Sequence, residues 1–181
     1  MIHPLTIHNK PSGAPVVGQL ALGGVVAYIA TIDLPAYDLE AGDGLIMSTD
    51  TLNDVLWSNI EILVPTTSVR GDINTAAIIA QVGHATSAAK SCVDYVSDIY
   101  NDWYLPSKDE FQYFILPNRN SGVIVNYIPI QERIALATEH DAGNGFYIDF
   151  NTINVWLIQY AGKSSNNYKV KAVRKFRKTD Y

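Results

Sequence analysis

Catalysis and metal binding both need reactive side chains that converge, and this chain offers few of them. Its histidines are His3, His8, His84 and His140, and Cys92 is its single cysteine. His140, in Thr138-Glu139-His140-Asp141, is the histidine flanked by two carboxylates. That composition suits a divalent cation when a second histidine or cysteine stands at ligand spacing. None does, and a polar loop between strands accounts for the same residues. Cys92 lies near Ala88, Ala89 and Tyr95, which reads as a small core residue in a helix rather than a nucleophile. No catalytic residue, metal ligand or cofactor is expected, and the chain is read as not being an enzyme.

Recognition chemistry is better represented. Between Glu139 and Tyr168 the chain concentrates tyrosine, tryptophan, asparagine and serine. Rigid aromatics supply contact area at low entropic cost, and amides add adaptable hydrogen bonds, as in antibody paratopes. The candidate ligand-binding residues are Asn144, Tyr147, Asn154, Trp156, Tyr160, Asn166 and Tyr168. The pattern has a second reading, in which Tyr147, Ile148 and Phe150 pack a core while the Asn and Ser residues form turns.

These residues need strands to hold them. Gly145 to Phe150 alternates as a strand, Asn151-Thr152-Ile153-Asn154 reads as a hairpin turn into Val155 to Tyr160, and Gly162 to Asn167 forms the next turn. Upstream, strands are expected near residues 23–29 and 42–47, followed by an irregular stretch from Ser48 to Gly71 that contains Trp57 and Pro65. Asp72 or Asn74 caps a helix ended by Gly83, and a second helix runs from about Thr86 to Val96. Val123 to Ile128 reads as extended, and Gln131 to Thr138 as a further strand.

The strongest local signal is Asp102-Trp103-Tyr104-Leu105-Pro106-Ser107-Lys108-Asp109-Glu110-Phe111. Pro106 biases Leu105 toward an extended conformation, and Ser107 with Glu110 forms a capping box. A helix should begin at Lys108, carry Phe111, Phe114 and Ile115 on one face, and be ended by Pro117 with Asn118 and Asn120 after about two to three turns. Trp103 and Leu105 should be buried.

That run resembles the tryptophan-x-leucine-proline-serine/threonine-x-x-glutamate segment of bacterial and phage domains typified by the C-terminal domain of the Legionella collagen-like adhesin. Gly23 to Ile29 and Gly42 to Met47 look like the first two strands of that family. Asn74 to Ile78 and Ala88 to Tyr95 look like its two short helices, and Val170 to Phe176 like its closing strand. The resemblance implies an α+β, C-type-lectin-like fold: twisted antiparallel sheets with short helices and long loops. It covers residues 20 to 176. Where members commonly have tryptophan-serine-serine-threonine-glutamate, this chain reads Ala135-Leu136-Ala137-Thr138-Glu139. The related formylglycine-generating enzymes use paired cysteines, which this chain lacks. The calcium-lectin tryptophan-asparagine-aspartate letters occur in the wrong order at Asn101-Asp102-Trp103, with no glutamate-proline-asparagine triplet. A calcium-dependent sugar site is therefore not expected.

At 181 residues and 48% apolar composition, one domain is expected at 19–181, preceded by an extended attachment arm at 1–18 that is rich in Pro and Gly. The net charge of -5 hides a basic end, since seven of thirteen basic residues follow position 162. Such an end suits an anionic polysaccharide. It also fits a half-exposed strand with Lys169, Lys171 and Lys175 outward and Val170, Ala172 and Phe176 inward. A lone cysteine precludes an intrachain disulfide. The N-terminus has no secretion-signal pattern. Together these point to a phage virion component, made in the host cytoplasm. It would be homo-oligomeric, joined to other virion proteins by its arm, and would bind a host-surface glycan or protein without nucleic acid or membrane insertion. The alternative is a bacterial cell-surface adhesin domain.

Overall fold

The computed structural model describes residues 13–128, 130–152, 155–165 and 167–181, and only the backbone at 53–54, 151–152 and 155–156. Its strands are β1 (Leu20–Ala21), β2 (Gly24–Ile29), β3 (Gly44–Met47), β4 (Leu52–Val55), β5 (Arg133–Asp141), β6 (Asn144–Thr152), β7 (Val155–Gly162), β8 (Tyr168–Val170) and β9 (Val173–Phe176). One sheet has the order β1-β2-β3-β9 and the other β4-β8-β5-β6-β7. All neighbours are antiparallel except β5 and β8. With few, short helices, the chain is α+β. No helix among the described residues is long and apolar enough to cross a membrane.

Strand alternation divides the interior into two cores. Val26, Ile46, Ala135, Ala137 and Tyr147 enter one, around Trp57 and Trp103. Their neighbours Val25, Ala27, Met47, Ile134, Leu136, Ile148 and Phe150 enter the other, around Phe111 and Ile115. Successive side chains point to opposite faces, so both faces of these strands are covered. Trp57 lies in the same core as Ala135 and Ala137 and donates its indole N–H to the Leu136 carbonyl at 2.8 Å. These small residues thus stand on the strand that the Trp57 indole covers.

Trp103 is 2% exposed and Leu105 is fully buried, as the aromatic run predicts. The capping box forms: Glu110 N–H donates to Ser107 Oγ at 3.2 Å and Ser107 N–H to Glu110 Oε2 at 2.8 Å. The same carboxylate accepts Gly71 N–H and the Tyr104 hydroxyl. One side chain therefore caps the helix that opens at Lys108 and also the start of α1 (Gly71–Ile79), a role expected of Asp72 or Asn74. Asp72 pairs with Arg70 instead. Gly71 is required here, because a Cβ would collide with Glu110 Oε2, the Leu105 carbonyl and Ser107 N. Burial pushes the Glu110 carboxyl above its ordinary value. Ser107 lies against this network, while Ser87 caps α2 (Ala88–Val93) through Lys90 N–H.

The structure refines one expectation and corrects two. The helix from Lys108 runs through Pro117 and ends at Asn120, within the expected stop of Pro117, Asn118 and Asn120. It takes π geometry over Glu110–Ile115, Leu116 N–H bonding Phe111 O, and continues as α3 (Leu116–Asn120). Proline cannot donate, and the wider turn just ahead of it lets the chain carry on without that bond. Val123 to Ile128 is a 3-10 turn at Val125–Tyr127 rather than a strand. The closing segment splits, β8 joining one sheet and β9 the other. Tyr104 bonds Val173 in both directions, at 2.8 and 2.9 Å, and so joins the aromatic run to β9. Ahead of β1, Pro15 is buried, Val17 packs against both cores and Gly18 N–H bonds Val26 O. The expected boundary at residue 18 falls within this packed stretch, and residues 1–12 lie outside the described ones.

The split of the closing segment also turns Lys171 inward. It is fully buried, its ammonium donating to the Thr49 and Asp50 carbonyls at 3.0 and 2.8 Å. Burial lowers its pKa from 10.5 to about 8. Between those values the unfolded chain binds more protons than the folded one, so this group makes stability rise with pH across that window. Relative to Lys171→Met, the parent is expected to gain roughly 2 to 3 kcal/mol between pH 8 and 10.5. Urea midpoints of both proteins check this, and a constant difference between them would refute it.

Candidate functional site

Part of the aromatic and amide-rich stretch comes together beside the β5–β6 hairpin and the end of β7. Phe146 on β6 is directly opposite Tyr160 on β7, and the β5–β6 hairpin closes with Asp141 opposite Asn144. Its turn is organised by one carboxylate: Asp141 accepts Gly143 N–H at 2.9 Å and both of its oxygens accept Asn144 Nδ2. His140 Nδ1 lies 2.8 Å from the same group. Hydrogen bonds from His140 and Asn144 hold the Asp141 carboxyl below the usual carboxylate range.

Tethered in this way, the His140 ring stacks on Tyr160 with centroids 3.7 Å apart and planes 7° from parallel. Phe146 stands across the pair, 5.3 Å from His140 at 78° and 6.3 Å from Tyr160 at 85°. The result is a two-ring slab with a third ring set perpendicular to it. Tyr160 is 53% exposed and His140 is exposed as well. Lys108 reaches the same corner from the helix start, its Nζ 5.4 Å from the Phe146 ring. Its backbone is fixed by a bond from its N–H to Thr138 Oγ1.

Of the residues expected to bind ligand, Tyr160 and Asn144 belong to this corner. Tyr147 and Tyr168 do not. They are 3% and 0% exposed, with rings 5.6 Å apart in the core. Their hydroxyls donate to Gln159 Oε1 and the Gly162 carbonyl, and burial pushes that of Tyr168 up to about 12. Alternation sends Tyr147 to the face opposite Phe146. The side chain of Trp156 and all of Asn154 and Asn166 fall outside what is described. His140, Phe146 and Lys108 were not expected here, and only the pairing Phe146 to Tyr160, a contact between strands, could have signalled them.

Of the two carboxylates flanking His140, only Asp141 meets its ring. Glu139 faces inward to the buried Lys163. Cys92 is buried, and burial pushes its thiol up. Most of the basic end is paired with carboxylates within the domain. Arg174 pairs with Asp102, Lys175 with Asp38 and Asp72, Arg177 with Asp38 and Asp43, and Lys178 with Glu40. Lys163 and Lys171 are buried. A cleft of about 690 Å³ bounded by Asp33, Asp38, Glu40, Asp43, Arg177 and Lys178 is lined by these same pairs. Four of its cations, Arg174, Lys175, Arg177 and Lys178, are thus engaged by carboxylates of the domain itself.

No family model and no curated protein matches the chain in sequence. Among solved structures, it is similar to a fimbrial protein from Bacteroides ovatus, with a TM-score of 0.54 at 12% identity. What they share is a fold. The match covers 83% of this chain and 43% of the fimbrial protein, so the chain spans less than half of that protein's length.

Proposed function

We propose that this chain is a non-catalytic, C-type-lectin-like recognition module that binds a glycan on the His140–Tyr160 slab. The observation that carries this reading is the exposed stack itself, cornered by Phe146 and edged by Asn144 and Asp141. The C–H face of a sugar ring packs on such a slab, while amide and carboxylate groups at its edge meet hydroxyls. Rigid aromatic rings give contact area at low entropic cost, and the amide beside them adds adaptable hydrogen bonds. Its carrier is a virion in the reading drawn from the adhesin-domain resemblance. A bacterial surface filament is the reading that the fimbrial neighbour supports. Attachment through the N-terminal arm and homo-oligomerisation belong to the same proposal.

Tyr160→Ala is expected to weaken binding to a printed glycan panel by about 2 kcal/mol, a factor of roughly 30. His140→Ala is expected to act in the same direction. Both variants should still unfold cooperatively, losing about 0.5 to 1.5 kcal/mol with the stacked pair. Binding should persist in chelator. Unchanged binding by Tyr160→Ala, or loss in chelator alone, would sink the reading.

A further inference from the structure

We infer that the glycan taken by this platform is acidic, its carboxylate pairing with Lys108; this rests on the reading above. Among the described residues Lys108 is without a carboxylate partner, whereas Arg70, Lys90, Lys163, Arg174, Lys175 and Arg177 each have one. Its ammonium meets the Phe146 ring, and that ring is what joins it to the slab: 5.4 Å to Lys108 Nζ, 5.3 Å to His140 and 6.3 Å to Tyr160.

The helix start does not favour a lysine, and its contact with the Phe146 ring leaves it without a counter-charge. Lys108 opens a helix, where the partial positive charge of the unpaired N–H groups disfavours a cation. Its backbone bond to Thr138 Oγ1 would form with any residue other than proline. The ammonium thus stands at the corner of an aromatic platform with no carboxylate partner among the described residues. A sugar ring resting on the slab, with a carboxylate projecting from its rim, supplies the missing partner. The one carboxylate of the corner does not compete, since Asp141 is already engaged by His140, Asn144 and Gly143. Charge complementarity also moves anion selectivity away from the basic C-terminal end, where most of the cations are internally paired.

The experiment compares carboxylated glycans with the same glycans after carboxyl reduction, for the parent, Lys108→Gln and Tyr160→Ala. The parent is expected to prefer the acidic forms by about tenfold at low salt, the scale of one charge-assisted hydrogen bond. That preference should shrink as salt rises. In Lys108→Gln the ratio should fall to near one. A parent with no preference, or a Lys108→Gln protein that keeps it, overturns the acidic-ligand inference. The platform reading survives that result if Tyr160→Ala still binds less. A parent that binds no glycan of either form overturns both.

Discussion

Replacing Lys163 with methionine is expected to destabilise the domain by about 3 to 5 kcal/mol, because it strands a buried carboxylate. The Lys163 side chain is fully buried and that of Glu139 is 2% exposed. The ammonium pairs with Glu139, donates to the Ile62 carbonyl at 3.1 Å and lies 5.1 Å from the Trp57 ring. The other Glu139 oxygen accepts Val64 N–H at 2.6 Å. The pair therefore clamps the irregular segment around residues 62–64 onto the end of β5. In Lys163→Met the carboxylate keeps one N–H but loses its counter-charge in a place water does not reach. The double variant Lys163→Met, Glu139→Gln should recover half or more of the loss, since glutamine carries no charge and still accepts Val64 N–H. Urea unfolding of the parent and both variants measures this. A single variant within about 1 kcal/mol of the parent, or a double variant as unstable as the single, would show that the pair is not what holds the segment. Glu139 and His140 are adjacent and face opposite ways, so this anchor lies directly behind the aromatic corner. Glycan binding should fall along with stability.

Trp103→Ala is expected to cost about 3 to 5 kcal/mol through the cavity it leaves. The indole is 2% exposed, meets Tyr95 edge to face at 5.2 Å and donates to the Tyr100 carbonyl at 3.0 Å. It belongs to the core that also holds Trp57, Tyr147 and Tyr168. Trp103→Phe keeps part of the volume and should lose less, which separates a packing cost from the loss of one hydrogen bond. A Trp103→Ala protein that melts like the parent would contradict the burial described and remove the main support for the adhesin-domain resemblance.

The run from Trp103 to Phe111 was legible because its instructions are local. Pro106 restricts its own neighbour, and Ser107 and Glu110 bond within one helical turn, so four residues are enough to predict both the cap and the start at Lys108. Strand alternation in 145–150 was legible for the same reason. Local pattern could not place the second partner of Glu110, because Gly71 N–H reaches it across 39 positions. It also could not show that Lys171 turns inward. That depends on β8 and β9 joining different sheets, which no periodicity in Lys169 to Phe176 records.

By itself, then, the sequence determined the single aromatic and capping signature, the strand periods around the candidate site, and the stretch that holds it. Which members of that stretch face outward was decided by tertiary structure. Tyr147 and Tyr160 are alike in type, yet one is 3% and the other 53% exposed. The physical reason is that a strand offers two faces of equal standing. Only the elements packed on each, Trp57 and its core on one side and the helix from Lys108 on the other, determine which residues are covered and where His140, Phe146 and Tyr160 emerge together at the edge.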